Sequence, residues 1–324
     1  MPCFLLCERN GNIKKMNTAF SLRIIILPAI LLSLLPFSAL AEEKTIGVVL
    51  TGNISYYKEI HDAFSSELAA GFPPGSIKFL RQNPNPDQMS WVNAVQKLST
   101  LGSDIIISYG APATLVAISE AGNIPVVFAG VYDPAELGLT GKNATGVSSK
   151  VPVAGVLKNL KSITPFSKLG VVYNDAEKDT VLQANDVKQL EAGLKFSSVR
   201  INYKKPVDSS KIADIDALLL TTACTAMHCV NNIIDIARQK KIPVVATISG
   251  GEGSGVILSI FPNPAEQGRE AAKKAALVLK GTKPSAIPFE QPKKIDMVIN
   301  MKEATALGLK VPFDLLTSAT RVIK

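Results

Sequence analysis

The chain has 324 residues, 47% of them hydrophobic and 19% charged, with a formal net charge of +8. That length exceeds what one ordinary core serves and suits two domains of ordinary size. The basic residues fall in scattered pairs such as Lys204-Lys205, Lys240-Lys241, Lys273-Lys274 and Lys293-Lys294; without the dense cluster that phosphate-backbone binding favours, they read as solvated faces and exclude nucleic acid as the expected partner.

At the N-terminus, Lys14, Lys15 and Arg23 precede an apolar run over residues 24–35, followed by Pro36, Phe37, Ser38, Ala39, Leu40 and Ala41. A basic region, an apolar stretch and small residues form the pattern of a secretory signal and predict cleavage after Ala41. As a membrane anchor the run is short of the roughly 20 apolar residues a span needs, and Pro28 and Pro36 interrupt it. Met16 is an alternative start just ahead of it, so residues 1–15, with Cys3 and Cys7, are set aside from fold reasoning. No cysteine follows the small residues, which leaves no thiol for lipid attachment; a soluble periplasmic protein is expected. Residues 1–41 hold four basic and one acidic residue, so the remaining 283 carry a net charge of +5.

From Thr45 onward, short β-rich runs alternate with segments of helical period, the signature of βαβ units on a parallel sheet and hence of an α/β fold. Residues 45–50 read as a buried strand, 55–70 as a helix, 77–80 as a strand and 87–98 as a helix capped by Asp87. Strands follow at 105–109 and 126–129, and between them Pro112 opens a helix through Ser119, in a first-turn position where its missing N–H costs nothing. The pattern then restarts: helix 153–160, strand 169–173, helix 180–192, strands 196–201 and 217–220, helix 227–239, strand 244–246. A strand at 256–260 and a helix at 264–279 follow, with Gly281 as the C-terminal stop. A strand at 295–299 and a short helix at 302–307 close the chain. No low-complexity linker separates the halves, so several short crossings are expected, which suits hinge closure around a ligand. One lobe is expected from residues 42–147 with about 262–290, the other from 148–261 with about 291–324.

No catalytic constellation stands out, and no enzyme activity is expected. The run Gly250-Gly251-Glu252-Gly253-Ser254-Gly255 lacks the Lys-Ser/Thr ending of a phosphate loop and precedes a strand, so it reads as a turn. His61 lies inside a helix without a second ligand nearby, which makes it a packed or surface histidine. Cys224, His228 and Cys229 stand close together, but the order is wrong for haem attachment, and a closed zinc site needs a fourth ligand. No metal or cofactor is expected. In an oxidising compartment Cys224 and Cys229 most simply form a local disulfide, with free thiols as the alternative.

In an open α/β sheet, ligands bind outside the carboxyl ends of the strands. That rule selects Thr51, Gly52, Asn53, Gly110, Ala111, Thr114, Val131, Tyr132 and Asp133 in the first series. In the second it selects Asn174, Glu177, Asp179, Thr180, Thr221, Thr222 and Thr247. The candidate ligand-binding set drawn from these is Thr51, Asn53, Gly110, Ala111, Thr114, Tyr132, Asp133, Asn174, Glu177, Thr180, Thr222 and Thr247. The helix N-terminus after Gly110 offers orphan N–H donors to a ligand carboxylate, and Asp133 and Glu177 are the expected partners of an ammonium group. These polar types suit a zwitterion such as an amino acid. Ordinary helix capping is the competing role for each residue taken singly.

A series of stretches runs in one order along the chain: Tyr109-Gly110-Ala111-Pro112-Ala113, Ile124-Pro125-Val126-Val127-Phe128, Asp133-Pro134, Asn143-Ala144-Thr145-Gly146-Val147-Ser148, and Val171-Val172-Tyr173-Asn174 with Glu177. Lys241-Ile242-Pro243-Val244, Lys280-Gly281-Thr282-Lys283-Pro284, Val298-Ile299-Asn300 and Ala306-Leu307-Gly308-Leu309 continue it. In these the chain resembles the ABC transporter substrate-binding proteins of the tryptophan/tyrosine-uptake type, over essentially all of residues 42–324. The resemblance implies a type I periplasmic-binding fold with lobes joined by three crossings and a ligand in the cleft. It also implies an ABC permease as partner, a monomer, and Ala111, Asp133, Asn174, Glu177 and Thr180 as pocket residues. The chain departs from the family where Ser259-Ile260-Phe261-Pro262 replaces a Ser-Tyr-Gly-like stretch. The expected function is the solute-binding component of an importer, for an amino acid of aromatic or branched type; the alternative is a sensor subunit that presents the same cleft to a membrane receptor.

Overall fold

The computed structural model describes residues 43–203, 212, 214–222, 227–250 and 255–324, the side chains of 227–230 excepted. The expected secretory signal, Cys224 and the side chain of Cys229, and with them the expected disulfide, lie outside the described residues. The elements alternate as the sequence predicts through β1 (Lys44–Leu50), α1 (Ser55–Ala70), β2 (Ile77–Gln82), α2 (Gln88–Thr100), β3 (Ile105–Tyr109), α3 (Ala111–Glu120) and β4 (Val126–Val131), and a further strand, β5 (Ala144–Ser148), follows. There follow α4 (Val153–Ile163), β6 (Lys168–Tyr173), α5 (Lys178–Gln189), α6 (Glu191–Leu194), β7 (Ser197–Asn202), β8 (Ala217–Leu220), α7 (Met227–Gln239) and β9 (Val244–Ala246). The chain ends with β10 (Val256–Pro262), α8 (Pro264–Leu279), β11 (Ile295–Asn300), α9 (Met301–Ala306), α10 (Phe313–Ser318) and β12 (Arg321–Ile323).

The local chemistry accounts for these elements. Helix α1 buries Tyr56, Tyr57, Ile60, His61, Phe64 and Leu68, a stripe of helical period facing one way. The Asp87 side chain caps α2 by accepting from the Ser90 amide at 2.9 Å, and Asn263 does the same for α8 through the Glu266 amide at 2.8 Å, each satisfying an orphan first-turn donor. Gly281 ends α8 at φ 96°, a conformation that costs glycine nothing. Buried strands β1, β3 and β4 are nearly continuous runs of apolar residues, as strands covered on both faces require.

The strands form two sheets, of order β2-β1-β3-β4-β5 and β12-β11-β10-β9-β8-β6-β7. The first is parallel throughout. The second is parallel from β7 to β10, but β11 pairs antiparallel with β10 and carries β12 with it. An all-parallel second sheet was the expectation, and the difference has a topological cause. After β10 the chain leaves for α8, which packs along α1 and against β4 and β5, and it re-enters the second sheet from the opposite end. The close α8–α1 contact depends on Gly268, where a Cβ would stand 2.2 Å from the Ile60 carbonyl oxygen. Strand β5, helix α10 and strand β12 were not predicted.

Apolar clusters cover the sheets, for example Ile46, Val48, Phe64 and Tyr109 on one face of the first and Leu157, Leu169, Val171 and Leu219 on one face of the second, and the first of them also takes in Phe261 and Val298 of the second sheet. The chain crosses between these two α/β domains after β5, after β10 and before β11. Two crossings are stitched together: Ser148 donates its amide to the Glu290 carbonyl at 2.8 Å, and Glu290 donates to Gly146 at 3.1 Å. Gln267 of α8 pins the same region, donating to the Ser148 carbonyl at 2.7 Å and accepting from the Gly130 amide at 3.2 Å.

Candidate functional site

The carboxyl ends of the two sheets meet where the segment after β4 touches the start of α5. The Tyr132 amide donates to Asp179 Oδ2 at 2.9 Å, and the Tyr132 hydroxyl donates to Asp186 Oδ2 at 2.7 Å. The Tyr132 ring is fully buried and belongs to the apolar cluster of the second domain. One residue of the first domain therefore enters the packing of the other.

On the first domain's side the predicted residues are occupied with one another. Thr51 Oγ1 accepts from the Ala113 amide at 3.0 Å, so a threonine at the end of β1 caps α3 from outside. Thr114 donates to the Gly110 carbonyl at 2.8 Å and shares a 2.8 Å hydrogen bond with Ser108. Gly110 sits at φ 86°, and a Cβ there would lie 2.5 Å from the Tyr57 hydroxyl oxygen. Only glycine allows that backbone and that approach. Ala111 is buried at the start of α3, whereas Asn53 is exposed and lies outside this group. Asp133, the expected partner of an ammonium, has another engagement: Lys150 donates to it at 2.6 Å and the Glu136 amide at 3.1 Å. Burial raises its pKa, but those donors outweigh burial and hold the carboxyl below its usual value. A lysine 17 residues on thus stands where an ammonium group was expected.

On the second domain's side, Asn174 Nδ2 donates to Glu177 Oε1 at 2.8 Å, and the Tyr203 hydroxyl donates to the same oxygen at 2.5 Å. Thr180 closes this turn, donating to the Asn174 carbonyl at 2.7 Å. Gln183, one turn after Asp179 on α5, ties two strand ends together. Its Oε1 accepts from the Thr222 amide at 3.1 Å and from the Thr247 hydroxyl at 2.8 Å, and its Nε2 donates to Thr222 Oγ1. Asp179 is 1% exposed. Burial pushes its pKa up to about 7; the Tyr132 amide opposes the rise, and the negative charges of Glu177 and Asp133 add to it. Burial, followed by Asp179 and Glu177, also raises the Tyr57 hydroxyl far above its usual value, so Tyr57 of the first domain lies within electrostatic range of both acids.

The structure thus brings Tyr132, Asn174, Glu177, Thr180, Thr222 and Thr247 to one junction and adds Tyr57, Asp179, Tyr203 and Gln183. Asp179 met the strand-end rule but was not among the expected ammonium partners. Gln183 carries a sequence signal, a polar residue at i+4 from Asp179 on one helix face; Tyr57 and Tyr203 carry none. A cavity of about 410 Å³ is lined by Ser55, Glu59, Ser249, Phe261, Asp296 and Arg321, among others. Among the described residues, no group of three or more His, Cys, Asp or Glu could hold a metal, and no helix is long and apolar enough to cross a membrane. Buried carboxylates ringed by hydroxyls and amides can hold a cationic, hydrogen-bonding ligand.

A family model described as ABC transporter substrate binding protein matches residues 69–323. A tyrosine-binding protein of Clostridioides difficile is 26% identical over 257 residues, 74% of this chain and 73% of that protein. An ABC domain from Streptococcus pneumonia solved in complex with L-Trp superposes with a TM-score of 0.80 at 23% identity, over 87% of this chain and all of that one. A ligand-free, open substrate-binding protein with adhesive properties from Clostridium difficile superposes with a TM-score of 0.66 at 23% identity, over 87% of this chain and 99% of that one. The two superpositions show the fold, two α/β domains of the type I periplasmic-binding kind.

Proposed function

The chain belongs to the ABC transporter substrate binding protein family, a family of solute-binding proteins, and on that premise we propose that it captures an amino acid outside the cytoplasm and presents it to an ABC permease. The observation that carries the amino-acid reading is the buried carboxyl of Asp179 at the junction of the two domains, with Asp133 already neutralised by Lys150. A carboxylate in such a place calls for a positive charge from the solute. The unsubstituted backbone at Gly110 and the first turn of α3 supply N–H groups suited to the solute carboxylate. The tyrosine-binding relative favours a side chain of aromatic type. The candidate site is therefore Gly110, Ala111, Tyr132, Asn174, Glu177, Thr180, Thr222 and Thr247, extended by Tyr57 and Asp179, with Thr51 and Thr114 as its supports. Capture operates by hinge closure: the solute has to bind the shut arrangement better than the open one.

The test is a thermal-shift screen of residues 42–324 against the twenty amino acids, small organic acids, nucleosides and sugars. A micromolar ligand at millimolar concentration stabilises by about 4 kcal/mol, a shift of several degrees. A shift with L-tyrosine, L-tryptophan or another amino acid is expected. A shift with sugars or nucleosides alone refutes the amino-acid reading while leaving solute capture in place.

A further inference from the structure

Asp179 bridges the two domains with half of its carboxyl group. Its Oδ2 accepts the Tyr132 amide at 2.9 Å, whereas Oδ1, equally buried, has no hydrogen-bond partner. Among the described residues, the groups around it are acids or neutral, the Asp133 amide included. Glu177 precedes it on the same turn, and Gln183 and Asp186 follow on the same helix. From the first domain come Asp133, the Tyr132 hydroxyl, which is given to Asp186, and the Tyr57 hydroxyl. From the end of β7 comes Tyr203, which donates to Glu177. Among the described residues, the cation of this group is Lys150, held by Asp133 at 2.6 Å.

An ionised carboxylate shut away from water with an unused oxygen and acids for neighbours is strongly disfavoured. It is relieved by reopening to solvent, by a proton, or by a cation placed against Oδ1. We infer that the two domains shut fully only when the Asp179 carboxyl is neutralised, by a proton in the empty protein or by a cationic group of the bound solute. The solute's part of this rests on the function proposed above; the proton's part does not.

The sign follows from linkage. In the shut arrangement the carboxyl holds a proton up to about pH 7, whereas a solvated aspartate releases it near its ordinary 3.8. Between those values each unit of falling pH favours the shut form by about tenfold, and above the upper one there is no further change. An empty protein is therefore about a hundredfold more biased toward closure at pH 5 than at pH 8. At pH 6, a solute ammonium seated against Oδ1 displaces the proton that closure would otherwise retain.

Small-angle X-ray scattering of the ligand-free protein at pH 5 and pH 8 tests the proton's part. The wild type is expected to be more compact at pH 5, and Asp179→Asn to be compact at both values, because an amide cannot ionise. An unchanged radius of gyration for the wild type overturns the inference, and so does an Asp179→Asn variant that keeps the wild-type response. The wild-type comparison decides even where the variant folds poorly. Calorimetry of L-tyrosine and L-tryptophan at pH 6, in buffers of different ionisation heat, tests the solute's part: no proton uptake on binding, and release of up to one proton per solute to the extent that the empty protein is already shut, is expected, and uptake of a proton overturns it. Binding of neither amino acid at any pH refutes the amino-acid reading and leaves the scattering result to decide on Asp179.

Discussion

The two strand-end surfaces that face each other at the domain junction use similar residues in opposite ways. On the first domain, Thr51 caps a neighbouring helix, Thr114 fastens the loop at Gly110 and Asp133 is paired with Lys150. Its polar groups are consumed in holding a shape. On the second domain, Glu177 and Asp179 are buried with mutually reinforcing negative charge, and Gln183 holds the ends of β8 and β9 in register around them. A type I scaffold can thus keep one lip rigid and satisfied and store its electrostatic demand on the other. The demand is met by what enters between them.

Exchanging the two aspartates breaks the comparison most directly. Asp179→Asn is expected to weaken amino-acid binding by about a hundredfold, the scale of removing one partner of a buried charge pair. Asp133→Asn should weaken it by less than about threefold, because its charge is spent on a partly exposed lysine worth under about 1 kcal/mol. Titration calorimetry on both variants decides; equal losses would erase the distinction between the lips.

Stability changes come next in size. Gln183→Leu keeps the volume but leaves the Thr222 amide and the Thr247 hydroxyl without their acceptor, and should cost about 2–3 kcal/mol in urea unfolding. A loss below about 0.5 kcal/mol would mean that those groups find other partners. Gly110→Ala forces a side chain into a backbone at φ 86° and against the Tyr57 hydroxyl; its expected cost is about 1–3 kcal/mol, with solute affinity falling alongside stability. An unchanged melting temperature would show that Tyr57 gives way freely.

The smallest effect separates the two domains by pH. His61 in the first domain packs beneath Tyr109, its Nδ1 at 3.1 Å from the phenol oxygen. Burial, then the charge of Arg81, lowers its pKa below the ordinary 6.5. A group lowered on folding contributes stability that is present above pH 6.5 and lost as pH falls through the folded value. Asp179, raised to about 7, does the reverse: its contribution is full below pH 3.8 and fades as pH rises through 7. Replacing His61 by Phe should flatten the acid side of the stability profile, and Asp179→Asn the slope between pH 4 and 7. Superimposable profiles for the variants and the wild type would count against both assignments.

Much of the fold was open to reading because strand and helix periods are local. The helix over 55–70 and the strand over 105–109 stand at their expected bounds, and Asp87 and Gly281 punctuate helices as their chemistry requires. Helix α10 and strand β12 escaped notice because six and three residues hold too little period to register, and β5 because Thr145 and Gly146 break its short apolar run. At the junction, the turn from Asn174 through Glu177 to Thr180 was legible for the same reason, its contacts spanning three to six residues.

The remainder of the junction depends on separations that no local pattern encodes. Tyr203 reaches Glu177 across 26 residues, Thr222 reaches Gln183 across 39, and Tyr132 reaches Asp179 across 47. By itself the sequence determined an alternating α/β chain of two domains and where its strand ends lie, since those follow from short-range periodicity and from capping. Which carboxylate is already paired, and which is buried without a cation among the described residues, was decided only when the chain crossed three times between its domains. Burial and charge pairing belong to whatever the fold brings together.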